Sequence, residues 1–337
     1  MLDRERQVAV TGDHIPVVRD ETVTWIKDKW APPDEDGPSD PVFGFLSVPF
    51  DFAVSHRPGC RFGPESILAA LNGYTAYCAD KRVSLERAGF ANFGAVDIVR
   101  SFEQSYQNIR NEVAAFPNHI SPIILGGDHS ISDPCVRGAI DRNGGRCMGL
   151  LVIDAHFDSR EPIPGKEHSG HWMHTLGDVI DYSKVAQLGI NAPIYSEAYM
   201  QAAQTRGVYV ATPYDIRTSG QRAVVEEAIA HVTAGTDGVY LTVDIDAVDQ
   251  AFAPGTSVPN PCGLLAHEVV DMVYEIAASG YVRVFDLTEV SPPLDRDGMT
   301  SQLAAGIVMN YMAGVVQYRA RTGPVLQERG GARAANG

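Results

Sequence analysis

Met148-Gly149-Leu150-Leu151-Val152-Ile153 runs without a break into Asp154-Ala155-His156-Phe157-Asp158. An apolar run with no in/out alternation reads as a strand buried on both faces. The arrangement recurs. Residues 122–125 lead into Gly126-Gly127-Asp128-His129-Ser130, and residues 238–243 into Asp244-Ile245-Asp246-Ala247-Val248-Asp249. Residues 282–287 lead into Thr288-Glu289-Val290-Ser291-Pro292-Pro293. Further strand-like runs lie at 42–48, 185–190 and 207–211. Helical patterns fall between them, at 63–71, 101–115, 131–142, 195–206, 219–234, 265–279 and 301–320. Alternating strands and helices, with several strands continuously apolar, predict an α/β fold with a parallel sheet covered on both faces.

The 337 residues suit one large α/β domain as well as two smaller ones. We expect an N-terminal arm over 1–40, a single domain over 41–322 and a flexible tail over 323–337. The Pro- and Asp-rich stretch 30–41 cannot hold a helix or a central strand. Hydrophobic residues at 45% and charged residues at 20% exclude wholesale disorder. Lys plus Arg is 27 against 42 for Asp plus Glu, a net charge of −15. Such a chain repels phosphate backbones, so nucleic acid is not an expected partner, and a cationic small molecule is. No apolar run reaches the length of a membrane helix, so no membrane partner is expected. The charged start and five scattered cysteines, without a C-x-x-C pair, suit a reducing cytoplasm.

In a parallel sheet the carboxyl ends of all strands point one way, and ligands bind beyond them. In extended chain, residues i and i+2 share a face. Asp154, His156 and Asp158 therefore present three donors together, Asp244 and Asp246 two more, and His129 a sixth. Alone, each would read as a helix cap, a turn residue or a structural histidine. Grouped, four carboxylates and two imidazoles repel and resist desolvation unless cations neutralise them. Two divalent ions carry +4 against −4 from the four aspartates. Oxygen and nitrogen donors without thiolate suit Mn²⁺, Ni²⁺, Fe²⁺, Co²⁺ or Zn²⁺. Two such ions sharing a water make hydroxide available near neutral pH, which predicts a metal-assisted hydrolase.

GGDHS at 126–130, DAHFD at 154–158 and DIDAVD at 244–249 resemble, in order and identity, the three signatures of the ureohydrolase (arginase/agmatinase) family. RPGCRFGP at 57–64, APGT at 253–256 and EVSPP at 289–293 extend the resemblance, which covers about residues 42–320. It implies an arginase-like three-layer α/β/α fold around a mainly parallel eight-stranded sheet. It also implies a metal pair, Mn²⁺ as usual or Ni²⁺ as in some relatives that act on unusual guanidines. His129, Asp154, Asp158 and Asp244 would hold one ion, and His156, Asp154, Asp244 and Asp246 the other. The implied reaction is attack of a bridging hydroxide on a guanidino carbon, giving urea or a derivative plus an amine or ammonia. Asp158 would relay the proton, and Glu289 would pair with the cationic substrate. The family's usual trimers or hexamers imply a homo-oligomer, with a hetero-oligomer also open.

The substrate loop departs from the agmatinase-like pattern. His168, ten residues after Asp158, takes the proton-shuttle role, with His171 as runner-up. Trp172 offers a π face for a compact cation, and Asn260 stands where many agmatinase-like relatives carry an acid. These departures favour a short or unusual guanidino substrate: guanidine, a guanidino acid or a biguanide. The alternative is a formiminoglutamase, whose carboxylated substrate needs a basic group, and Arg57, Arg61 and Arg160 are available. The complete set of six donors argues against a single-zinc deacetylase and against a ligand-poor partner subunit.

Overall fold

The structure, a computed structural model, describes residues 22–31 and 42–323. The tail expected from 323 and most of the arm lie outside the described residues. The strands in chain order are β1 (Trp30–Ala31), β2 (Val42–Ser47), β3 (Tyr77–Cys78), β4 (Val83–Ser84), β5 (Gly89–Ala95) and β6 (Ile120–Leu125). They continue as β7 (Gly149–Ile153), β8 (Val185–Leu188), β9 (Tyr209–Ala211), β10 (Val239–Asp244) and β11 (Val282–Thr288). The helices are α1 (Gly63–Asn72), α2 (Phe102–Ala114), α3 (Ser132–Arg142), α4 (Trp172–Thr175) and α5 (Glu197–Thr205). After them come α6 (Pro213–Ser219), α7 (Gln221–Thr233), α8 (Ala266–Ala278) and α9 (Met299–Thr322).

One sheet runs β1-β5-β2-β6-β11-β10-β7-β8-β9, and each neighbouring pair is parallel. It has nine strands rather than eight. The ninth comes from the arm, where Trp30 packs edge-on against Phe45 and Phe90 and its indole donates to Asn72 Oδ1 at 2.7 Å. The arm segment 30–41 thus begins in an edge strand. β3 and β4 form a separate antiparallel ribbon.

The uninterrupted apolar runs have a simple cause. Ile123, Leu125, Leu151, Ile153, Leu241 and Val243 face a core shared with α1, α7, α8 and α9. Ile124, Leu150, Val152 and Tyr240, the alternate residues, face a second core with α2, α3 and α5. Both faces are covered, so both sets are apolar. The result is the three-layer arrangement. Among the described residues no helix is long and apolar enough to cross a membrane.

Four central strands, β6, β11, β10 and β7, lie side by side. Leu125, Leu287, Val243 and Ile153 pair across them in one row. The next residue of each strand opens one of the polar segments singled out above.

Candidate metal centre and active site

That register brings the segments together. Gly126 N–H donates to Leu287 O at 2.8 Å, Asp128 N–H to Phe50 O at 2.8 Å, and Glu289 N–H to Gly127 O at 2.8 Å. Gly127 is required by the close approach, since a Cβ there would sit 1.6 Å from Phe50 O. His129 Nδ1 then lies 3.1 Å from Asp154 Oδ2, 3.3 Å from Asp158 Oδ2 and 3.1 Å from Asp244 Oδ2. His156 Nδ1 lies 3.1 Å from Asp246 Oδ2 and 3.5 Å from Asp154 Oδ1. All six donors are buried.

These contacts suit cations. Donor atoms about 2.1 Å from one ion and at right angles sit about 3 Å apart. His129 Nδ1, Asp154 Oδ2 and Asp246 Oδ1 are buried with no hydrogen-bond partner among the described residues, an expensive condition for a group that a metal would satisfy. Behind the ring, His129 Nε2 lies 3.0 Å from Thr242 Oγ1. That contact turns Nδ1 toward the carboxylates. Deeper still, Asp286 accepts from Ser132 Oγ at 2.8 Å and Tyr240 OH at 2.5 Å.

Without cations the cluster holds protons. Burial raises Asp244, and Asp246 and Asp154 raise it further despite His129. Burial opposes a proton on His156, but Asp246 and Asp154 outweigh it and push its pKa up to about 12. Burial, then the neighbouring Asp128, raises Glu289 to about 8. A metal pair would replace those protons with fixed positive charge.

Two residues of the rim hold a left-handed backbone that side chains rarely adopt: Asp158 at φ 44° and Glu289 at φ 64°. Such strain collects at functional sites. Glu289 Oε1 accepts from His129 N–H at 2.9 Å, and Oε2 from Ser257 Oγ at 2.7 Å.

A cavity of about 360 Å³ opens over the cluster and is lined by His156, Asp158, Asp244, Asp246 and Glu289 from the rim. Its other walls include Ser55, Arg160, His168, Ile194, Tyr195, Ser257 and Val258. His168 lines the cavity, with Nδ1 accepting from Gly170 N–H at 3.0 Å. His171 does not line it. That ring is buried behind His168, its Nδ1 unpartnered and its pKa lowered by burial.

Trp172 is also outside the cavity. It is fully buried behind the rim, its ring tilted against that of His129 with centroids 4.7 Å apart, and its indole N–H donates to Asp158 Oδ2 at 2.9 Å. The structure therefore gives it no face for a substrate cation. Asn260 is buried and bonds the side chain of Asn191, so its neutrality bears on that contact and not on a substrate tail.

Of the three arginines, Arg57 donates to Ser257 O and Thr256 O, and Arg61 pairs with Asp51. Arg160 alone of the three reaches the cavity, its guanidinium 5.4 Å from the Tyr195 ring. Tyr195, Ile194 and Ser55 had no signal in the sequence. They come from loops whose link to the rim is tertiary.

The sequence matches the model of the arginase family over residues 42–314. The chain belongs to the arginase family. As an arginase-family hydrolase it acts on C–N bonds of guanidino or amidino groups. The chain is 30% identical to a formimidoylglutamase of Bacillus subtilis over 307 residues, covering 88% of this chain and 94% of that one. The crystal structure of the B. subtilis formimidoylglutamase superposes with a TM-score of 0.82 at 28% identity, over 92% of this chain and 96% of that one. A guanidinobutyrase of Pseudomonas aeruginosa is 30% identical over 280 residues, 80% of this chain and 84% of that one. At 18% identity, a formiminoglutamase of Trypanosoma cruzi solved with Mn²⁺ shares the fold, with a TM-score of 0.77 over 84% of this chain and 96% of that one. Arginase-family enzymes use a binuclear metal centre, and the donors here fit one.

Proposed function

We propose that this chain hydrolyses the amidine C–N bond of a small substrate that also carries a carboxylate. Formiminoglutamate-like compounds and guanidino acids are the two candidates. The observation that carries the reading is Arg160, a cation without a carboxylate partner among the described residues, at the wall of an otherwise acidic cavity. A substrate with an amidine head and an anionic tail matches that polarity. The names of the B. subtilis and P. aeruginosa relatives agree, since both refer to substrates with a carboxylate. Agmatine, whose tail ends in an amine, is disfavoured.

His129, Asp154, Asp158 and Asp244 would hold one divalent ion, and His156, Asp154, Asp244 and Asp246 a second. The pair, Mn²⁺ by preference and Ni²⁺ as the alternative, would supply an activated water and neutralise the aspartates. Glu289 orients the substrate. Each of its oxygens accepts one bond and keeps a lone pair for an amidine N–H. Asp158, steadied at Oδ2 by Trp172, receives a proton from the attacking water. His168, at the cavity wall, protonates the leaving amine. A formimino substrate then yields formamide and an amino acid; a guanidino acid yields urea and an amino acid. Assembly as a homo-oligomer belongs to the same proposal.

The test is a panel of formiminoglutamate, 4-guanidinobutyrate, guanidine, a biguanide and agmatine, on protein stripped and reloaded with Mn²⁺ or Ni²⁺. The two carboxylated compounds should lead. Arg160→Gln should raise their KM by roughly 10- to 100-fold, the worth of a charged hydrogen bond, and leave agmatine and guanidine unchanged. Agmatine or guanidine as the best substrate would defeat the carboxylate reading.

A further inference from the structure

The opposite end of the sheet carries a cavity that this chemistry does not use. It measures about 390 Å³ and sits where β6 and β11 begin, under the last turns of α3 and α9. Arg142, Arg283, Arg319 and His119 line it together with Ser121 and Tyr318. No acid is among its lining residues, in a chain of net charge −15. None of the three arginines forms an ion pair among the described residues.

Arg142 spends its donors on carbonyls: Phe116 O at 3.1 Å, Pro117 O at 2.9 Å, Ile120 O at 2.8 Å and Arg283 O at 3.4 Å. Those bonds use four of its N–H groups and leave its charge uncompensated. Burial depresses its pKa, and Arg283 depresses it further against the opposite pull of Tyr311. Arg283 gives one bond, to Gly280 O at 3.0 Å. Arg319 makes no side-chain hydrogen bond among the described residues. Arg142 and Arg319 each stand in the last turn of a helix, where a cation complements the helix dipole. That accounts for the two singly. It does not account for Arg283, at the start of a strand, or for three guanidinium groups around one acid-free cavity.

We infer that this basal cavity binds a small multivalent oxyanion, phosphate-like or dicarboxylate, between the guanidinium forks of Arg283 and Arg319 with Arg142 behind them. Planar guanidinium groups match the paired oxygens of phosphate and carboxylate, and three positive charges match an anion of two or more. The site is remote from the metal rim, so its occupancy is independent of the reaction proposed above.

The experiment titrates metal-loaded protein with inorganic phosphate and, separately, with succinate, by calorimetry and by thermal midpoint, with chloride at matched ionic strength. Saturable binding of at least one dianion, weakened tenfold or more in Arg283→Gln/Arg319→Gln at unchanged turnover, supports the site. Which dianion binds separates the phosphate from the carboxylate source. Arg319→Gln alone, expected to weaken binding at least threefold, serves if the double variant does not fold. Unchanged affinity in the variants would place the anion elsewhere, including on the metal rim, and overturn the inference. So would equal stabilisation by chloride, or no binding of either dianion.

Discussion

The two ends of the same four central strands have opposite chemistry. At the carboxyl end Asp154, Asp158, Asp244, Asp246 and Glu289 crowd around two imidazoles, with two residues in left-handed backbone. At the amino end arginines gather with no acid among the residues that line their cavity. Between them the strands are mostly apolar, with Thr242 and Asp286 among the buried exceptions. At the arginine end backbone carbonyls accept from Arg142 at four points but from Arg283 at one. At the acidic end His129 Nδ1 and Asp154 Oδ2, without hydrogen-bond partners among the described residues, face each other at 3.1 Å. What distinguishes the catalytic end is how closely its ionisable groups crowd, three carboxylate oxygens lying 3.1 to 3.3 Å from His129 Nδ1.

The strongest way to break that contrast is Asp244→Asn. Removing the carboxylate proposed to be shared by both ions should cost on the order of 10³-fold in kcat/KM and lower the bound metal below two equivalents by elemental analysis. Full activity with one ion would dissolve the distinction between the ends. Trp172→Phe is milder. It removes the N–H that holds Asp158 and trims the buried ring beside His129, so kcat should fall about tenfold with KM unmoved; a change confined to KM would return Trp172 to the substrate. At the amino end, Arg142→Gln should lower unfolding stability by about 2 kcal/mol through lost carbonyl bonds while kcat stays as it was. A denaturant titration beside a rate assay reads both.

The smallest effect concerns pH. In metal-free protein Glu289 is raised to about 8 by burial and then by Asp128. Its folded pKa exceeds the unfolded value near 4.3, so between those values the folded state binds more protons. Stability is then present at low pH and declines as pH rises through about 8. The metal-free thermal midpoint should drop by a few degrees from pH 5 to pH 8. Metal-loaded protein should not show that drop, because cations replace the protons. Parallel curves for the two forms would count against the metal centre.

Much of this was legible in the sequence because its periodicities are strong. The strand at 149–153 is apolar on both faces, those at 239–244 and 282–288 are largely apolar, and i, i+2 spacing placed Asp154, His156 and Asp158 together. β5 was not legible: Gly-Phe-Ala-Asn-Phe-Gly-Ala has neither a continuous apolar run nor a clean alternation, and pairing with β2 and β1 defines it. α6 was missed because seven residues are too few for a helical period to show, although Thr212 and Asp215 form its capping box. Side-chain direction is the deeper limit. Trp172 and His168 are four residues apart, yet one supports Asp158 from behind and the other lines the cavity. Only the turn at 169–171 decides which.

Gly127 carries a consequence for anyone who would re-engineer the enzyme. Its missing methyl group lets the chain after β6 lie against Phe50, and Glu289 hangs from the same peptide. A selection that randomises residues around the pocket should return varied alphabets at 194 or 258 and a single letter at 127. Altered specificity must be sought in the mobile vocabulary of the walls, because the floor tolerates no synonyms.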